Sequence, residues 1–197
     1  MVGGTSEEIP ISRARILAAA RERFEAVGYH RTGVAQIAGD AGVSVGTVYR
    51  YFKDKEEILV AVLEDVNARW LAKARELAGG PGTALERMRR LAEASVSLDR
   101  ENPLLNAIWN RDTEFILAPL LDDLYKWVYK HNVTLVTELI EDGAREGTFR
   151  EIDAEKAAHV LFLFGRSLFS QPDGSYSELA PTMVDIILKG IEAKGRD

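Results

Sequence analysis

Apolar positions recur at three- and four-residue spacing along most of the chain, and no period-two alternation lasts beyond a few residues. The pattern predicts helices throughout. A first stripe, Ile16, Leu17, Ala20, Phe24 and Val27, follows Ser12 as a possible N-cap and stops at Gly28. Two short helices follow, over 34–40 and about 45–52. A long helix opens at Asp54, with Glu57 three residues on as in a capping box, and carries Ile58, Leu59, Val62, Leu63, Val66, Trp70 and Leu77. "AGGPG", from Ala78 to Gly82, holds too much Gly and Pro for any helix interior and ends it. Further helices fit 83–98, 103–111 and 119–144; after the break "GTFREID" come 153–170 and 178–194, parted by "QPDGS".

The stretch "IAGDAGVSVGTVYRYF", Ile37 to Phe52, departs from generic helix. Ile37, Ala41, Val43 and Val48 take inward positions, with Ala38 as the small residue where two helices cross closely and Gly42 in the turn where an unusual backbone conformation is needed. Ser44 then caps a new helix. This is the spacing of two short helices packed nearly at right angles, a helix-turn-helix. Subtracting the inward residues leaves Val45, Thr47, Tyr49 and Arg50 outside. Such a face is poor core but suits phosphate and base-edge contacts in a major groove. The alternative is a helical hairpin in an ordinary bundle with half-buried tyrosines.

Charge divides the chain in a way that fits the first reading. The net charge of −6 over 197 residues argues against a polyanion partner. Residues 1–55, however, hold eight Lys or Arg against six Asp or Glu, a net of +2, which leaves −8 on 56–197. A basic head on an acidic body is expected when one end alone meets DNA. Cysteine is absent, so thiolate metal sites and cysteine nucleophiles are excluded, and a cytoplasmic protein is the expectation. No apolar run approaches the roughly 18 residues of a membrane helix, and "MVGGTSEEIP" does not read as a signal peptide, so no membrane partner is expected.

The run "TGVAQIAGDAGVSVGTVYRYFKDKEEIL" closely resembles the TetR family of bacterial transcriptional regulators. The matching residues are Ile37-Ala38, Ala41-Gly42-Val43-Ser44, Gly46-Thr47-Val48-Tyr49, Phe52 and Lys55-Glu56. The helix bearing Phe24 and its exit "GYH" are similar too. The likeness is specific over about 12–63 and only architectural beyond. It implies an all-α protein: an N-terminal three-helix helix-turn-helix DNA-binding domain, 1–55, and a larger C-terminal helical ligand-binding and dimerisation domain, 56–197. Thr47 and Tyr49 are similar in position to residues that touch backbone or base edges, and Tyr51 and Lys55 to phosphate clamps. Arg50, and Val45 by methyl contact, are candidates for sequence readout, since Arg can pair bidentately with guanine. The alternatives are packing of Tyr51 on the first helix and plain solvated charge for Lys53 and Lys55. The family usually has Thr where this chain has Gly33. Gly remains a fair N-cap, and the phosphate that Thr would touch is either left without a partner here or passed to Thr32.

The resemblance further implies a homodimer, a palindromic operator, most often repression, and release or modulation by a small, largely apolar effector. "AAHVLFLFGRSLF", Ala157 to Phe169, is apolar around most of its circumference and needs cover on two sides. With the last helix it gives an expected dimer seam of Leu161, Phe164, Leu168, Val184, Ile187 and Ile191. Ligand contacts are expected at Asn106, Trp109, Asn110, Arg111, Trp127 and His131, although aromatic residues at helical spacing are usually core. A lone His on an apolar stripe is more often a satisfied core residue. No enzyme is expected: there is no His-Glu-x-x-His, no phosphate loop and no nucleotide-binding glycine pattern. His30, His131 and His159 are too scattered for a metal, and no cofactor is implied. A ligand-independent DNA-binding or scaffold protein is the alternative.

Overall fold

A computed structural model of the chain describes residues 8–102, 118–169 and 176–193. Among these residues it holds eight helices and no strand: α1 (Glu8–Val27), α2 (Val34–Ala41), α3 (Val45–Tyr51), α4 (Lys55–Ala78), α5 (Ala84–Glu101), α6 (Ala118–Glu146), α7 (Ala154–Phe169) and α8 (Tyr176–Ile191). The expected elements are there with shifted ends. The helix expected over 103–111 lies outside the described residues. α1 starts before Ser12, because Pro10 falls in its first turn, where a missing N–H breaks no intrahelical bond. Two compact units lie within Met1–Val66 plus Asp112–Leu121 and within Asn67–Arg111 plus Asp122–Asp197. The division falls inside α4, later than the expected boundary at residue 55.

In the first unit α1, α2 and α3 pack on one another in pairs. Ile16, Ala20 and Phe24 on α1, Ile37, Ala38 and Ala41 on α2, and Val48 on α3 are buried, as are Ile58, Leu59, Val62 and Leu63 on α4. At roughly 1.5–3 kcal/mol for each large side chain fully buried, these residues suffice to hold α2 and α3 on α1, two short helices that would not form alone. Arg23 on α1 and Asp40 on α2 make a two-pronged ion pair, one prong at 3.0 Å. Its hydrogen bond holds the Asp40 carboxyl below its ordinary pKa and Arg23 above its own.

The second unit is built on Ala74, Ala84, Met88, Leu91, Val133, Leu135, Leu139, Ile140, Phe149, Ala158, Val184, Leu188 and Ile191. α8 packs against α5 and α7. Arg87, 8% exposed, joins three helix ends. Its guanidinium donates to the Ala78 carbonyl at 3.0 Å, to Asp142 at 3.1 Å and to Glu146 at 2.5 Å. Glu146 also accepts from the Ala84 backbone N–H at 2.7 Å, so one carboxylate serves both Arg87 and the start of α5. The break "GTFREID" folds back on α6. The Phe149 ring lies so close to Gly143 that a Cβ there would stand 2.1 Å from a ring carbon. The same loop is tied to the end of α8 by Arg150 N–H to Ile191 O and Ala193 N–H to Thr148 O, both 2.9 Å. No helix among the described residues is long and apolar enough to cross a membrane.

Candidate nucleic-acid interface

α2 and α3 meet through a turn centred on Gly42, whose φ of +64° lies in the left-handed region that glycine enters at least cost. Its N–H bonds back to Gly39 O at 3.1 Å, and Val43 N–H to Ala38 O at 3.0 Å, closing α2. Ser44 then caps α3, its hydroxyl oxygen accepting from Thr47 N–H at 3.0 Å. At the other end Phe52 N–H bonds Val48 O at 3.0 Å. At seven residues α3 is held by these caps and by Val48, which is fully buried. Gly33 begins α2 without a side-chain cap, and Gln36 reaches back instead, its Oε1 accepting Gly33 N–H at 2.9 Å. The start of α4 is held likewise: Asp54 Oδ1 accepts Glu57 N–H at 2.8 Å, and Glu57 accepts Lys53 N–H at 2.5 Å.

Of the four residues expected outside, Val45, Tyr49 and Arg50 are exposed and Thr47 is not. Tyr49 is 55% exposed and Val45 40%, large apolar surface left open among the described residues. Arg50 is exposed, its guanidinium 5.3 Å from the centre of the Tyr51 ring. Thr47 is half-buried and its hydroxyl shares a 2.8 Å hydrogen bond with that of Ser44. Tyr51 is half-buried, 6.5 Å from the Phe52 ring centre to centre.

Two residues expected to face DNA do not. Thr32 is 2% exposed and donates its hydroxyl to Gly28 O at 2.9 Å, so it closes the turn after α1 and has nothing left for a phosphate. Lys55 is turned inward. Its ammonium donates to Tyr29 O and Thr32 O, each at 2.9 Å, and lies 4.2 Å from the centre of the Tyr29 ring. Tyr29 is buried, and its hydroxyl pKa is raised, first by burial and then by Glu56 beside it. Lys55 therefore staples the α1–α2 turn to the start of α4. Sequence spacing could not reveal this, since the acceptors lie 26 and 23 residues upstream.

Arg13 and Arg15 on α1, absent from the expected interface, point to α3's neighbourhood. The Arg13 guanidinium stands 5.5 Å from the centre of the Phe52 ring, and that of Arg15 lies over Gly42.

In the second unit the expected ligand contacts fare differently. Asn106, Trp109, Asn110 and Arg111 lie outside the described residues. Trp127 is 39% exposed, and its ring lies tilted against that of half-buried His131, ring centres 4.3 Å apart, with His131 Nδ1 2.8 Å from Trp127 O. Both lie toward the surface of α6. The buried stripe runs through Val128, Leu135 and Leu139, and Trp127 falls one position off it. Polar groups meet instead on another face of α6. Trp70 Nε1 donates to Asn132 Oδ1 at 3.1 Å, and Tyr129 shares a short hydrogen bond with His159 Nδ1 on α7. The Tyr129 ring also meets Phe162 edge-on at 4.9 Å. All five of these side chains are partly buried.

The expected dimer seam is redistributed. Val184 and Ile191, 8% exposed each, belong to the core of their own unit. Leu161 and Ile187 are half-buried, Phe164 is 55% exposed, and the Leu168 side chain lies outside the described set. Uncovered apolar residues are Val160 (61%), Leu163 (52%) and Phe164 on α7, with Leu179 (52%) and Ile186 (66%) on α8. The signal missed was a second stripe at i, i+3, i+4 on α7 and i, i+7 on α8. Among the described residues no three His, Cys, Asp or Glu side chains gather as a metal site.

A capped, largely uncovered short helix set by a glycine turn on a three-helix platform, ahead of a larger helical body, defines a helix-turn-helix regulator of transcription. Residues 16–62 match the family model of bacterial regulatory proteins, tetR family. The HTH-type transcriptional regulator RutR of Escherichia coli (strain K12) is 29% identical over 181 residues, covering 91% of this chain and 80% of RutR. The fatty acid metabolism regulator protein of Bacillus subtilis (strain 168) is 26% identical over 152 residues, 75% of this chain and 76% of that protein. In fold, the chain is similar to FadR from Bacillus subtilis, solved in complex with stearoyl-CoA: TM-score 0.74 at 22% identity, covering 90% of this chain and 98% of that one. Residues 16–62 thus carry the DNA-binding region of the TetR family, and over most of its length the chain is similar to transcriptional regulators of that family. Regulators of this family are not enzymes.

Proposed function

We propose that the chain is a homodimeric, ligand-responsive repressor that reads a palindromic operator with α3, in the cytoplasm where bacterial DNA lies. The observation that carries the reading is the outer face of α3. Val45, Tyr49 and Arg50 are exposed on a helix whose inner residue, Val48, is fully buried, so the helix is anchored from within while these three side chains face out. Arg50 and Val45 read base edges, and Thr47, Tyr49 and Tyr51 serve backbone or edge contacts. Residues 1–55 supply the operator contacts, and 56–197 the partner and effector contacts. The dimer seam is made by Leu161, Val160, Leu163 and Phe164 of α7 with Leu179, Ile186 and Ile187 of α8, because five of these seven are large apolar residues more than half exposed. Reading successive major grooves requires the dimer to present its two α3 helices roughly 34–36 Å apart, one turn of DNA.

The effector is small and largely apolar. Its polar handle is the partly buried group Trp70, Tyr129, Asn132 and His159, contributed by α4, α6 and α7. The similarity to a fatty acid metabolism regulator, and to FadR in complex with stearoyl-CoA, supports a ligand with an apolar acyl part. Because α4 holds both Trp70 and residues of the first unit, a ligand binding there can shift its setting, to the extent that it binds the two states unequally. The test is a two-sided titration with whatever co-purifies, identified by mass spectrometry. If that ligand lowers operator affinity by some factor, operator must lower ligand affinity by the same factor. A wild-type protein that enriches no duplex from a randomised pool would overturn the DNA reading. Operator affinity indifferent to every co-purified or added ligand would leave the ligand-independent DNA-binding protein.

A further inference from the structure

We propose that Arg13 and Arg15 seat α3 in the groove by holding DNA phosphates at its two ends. The inference rests on operator binding by α3. Side chains two positions apart on a helix point about 200° from each other, so these two straddle α1, and each goes to a different end of α3. Arg13 reaches Phe52, the residue that closes α3. Arg15 reaches Gly42, two residues before the Ser44 cap; a Cβ at Gly42 would stand 2.5 Å from Arg15 Nη2. Glycine at this turn thus leaves room for the guanidinium as well as allowing the backbone its positive φ.

The charges of the two are unspent where those around them are used. Arg21 pairs with Glu25 at 2.9 Å, and Arg23 with Asp40. Arg31 donates to Val27 O at 2.6 Å, and Lys55 to two carbonyls. Among the described residues no carboxylate pairs with Arg13 or Arg15, and both are exposed. A guanidinium laid on an aromatic ring or over a glycine is pre-positioned while its planar fork stays open to a bidentate oxyanion. A phosphodiester is that oxyanion in the only polyanion this face meets. Contacts of this kind fix register and orientation and carry no sequence information. They replace the clamp that Lys55 does not provide.

The test compares wild type, Arg13→Gln, Arg15→Gln and the matching Arg→Lys variants, on a duplex that the wild type enriches from a randomised pool and on a scrambled duplex. The expected result for each Gln variant is a shallower dependence of log affinity on log salt, by about 0.9 for each phosphate no longer neutralised. Both duplexes should weaken by a similar factor, the enriched sequence should not change, and the Lys variants should restore the slope. Wild-type slopes in both Gln variants overturn the proposal, as does an altered enriched sequence, which would mean base contact. Should a Gln variant fail to fold, arginine-selective modification of the wild type decides: DNA should shield Arg13 and Arg15, and equal reactivity with and without DNA overturns the proposal. If the wild type enriches no duplex, both this inference and the DNA reading fail; enrichment with unchanged slopes sinks this inference alone.

Discussion

Replacing Lys55 with Met separates two accounts of that residue. In the structure its ammonium bonds Tyr29 O and Thr32 O at 2.9 Å each and covers the Tyr29 ring. Hydrogen bonds to a charged group contribute about 1.5–3 kcal/mol each, and a cation–π contact about 0.5–1 kcal/mol at a part-exposed site. Two effects reduce the sum. Tyr29 O keeps its bond from Thr32 N–H at 3.2 Å, so only one carbonyl is left short. Lys55 is also the first residue of α4, where a cation opposes the helix dipole by about 0.3–1 kcal/mol. The methylene stem, which Met preserves, continues to pack. The net loss is about 2 kcal/mol, which for a chain of this length lowers Tm by roughly 4–8 °C. Thermal unfolding followed by circular dichroism measures this, with operator affinity measured at several salt concentrations well below the transition. The salt slope should be that of the wild type, since Lys55 neutralises no phosphate. An unchanged Tm with a slope shallower by about 0.9 per protomer would refute the reasoning and restore the phosphate clamp that sequence likeness implies.

Tyr49→Ala should weaken operator binding by roughly tenfold or more, the equivalent of about 1.4 kcal/mol, with Tm nearly unchanged in thermal unfolding, because the side chain is 55% exposed. Ile186→Glu and Val184→Glu, two positions apart, should fail differently. The first, at a site 66% exposed, should give folded monomers by light scattering; the second, at a site 8% exposed in the core, should unfold the second unit by circular dichroism. Asp40→Asn should flatten the acid limb of stability. Asp40 has a folded pKa below its unfolded one, so its stabilisation is present above about pH 4 and lost as pH falls through the depressed value. Denaturant titrations at neutral pH and near pH 2.5 should therefore differ less for the variant than for the wild type.

Local features were the legible ones. Ser44, Gly42 and the inward set Ile37, Ala41 and Val48 define α2 and α3 by spacing alone, and the structure places each as the spacing requires. Asp153 caps α7 by accepting Lys156 N–H at 3.0 Å, a short-range bond readable from residue types. What sequence could not give was the destination of long side chains. A lysine at a helix start looks solvated until folding brings a turn from 26 residues upstream beneath it. Arg87, in the charged run "ERMRRLAE", reads as surface until Ala78, Asp142 and Glu146 converge on it. α8 is ambiguous for a different reason: it carries two apolar stripes. Val184, Leu188 and Ile191 face the core while Leu179 and Ile186 face out, and periodicity finds both without saying which is covered. Trp127 shows the reverse error, since one position of offset from a buried stripe turned an expected interior residue outward.

Selection of duplexes from a randomised pool, by the wild type and by Arg50→Ala, tests most directly that α3 reads operator DNA. The account predicts that the wild type enriches an inverted repeat whose half-site centres lie about 10–10.5 base pairs, or a multiple of that, apart. Arg50→Ala should enrich the same repeat with relaxed preference at one base pair in each half-site, a loss of about 1–3 kcal/mol of discrimination. An identical preference for both proteins would remove Arg50 and the outer face of α3 from the interface, and no enrichment by the wild type would contradict the account as a whole.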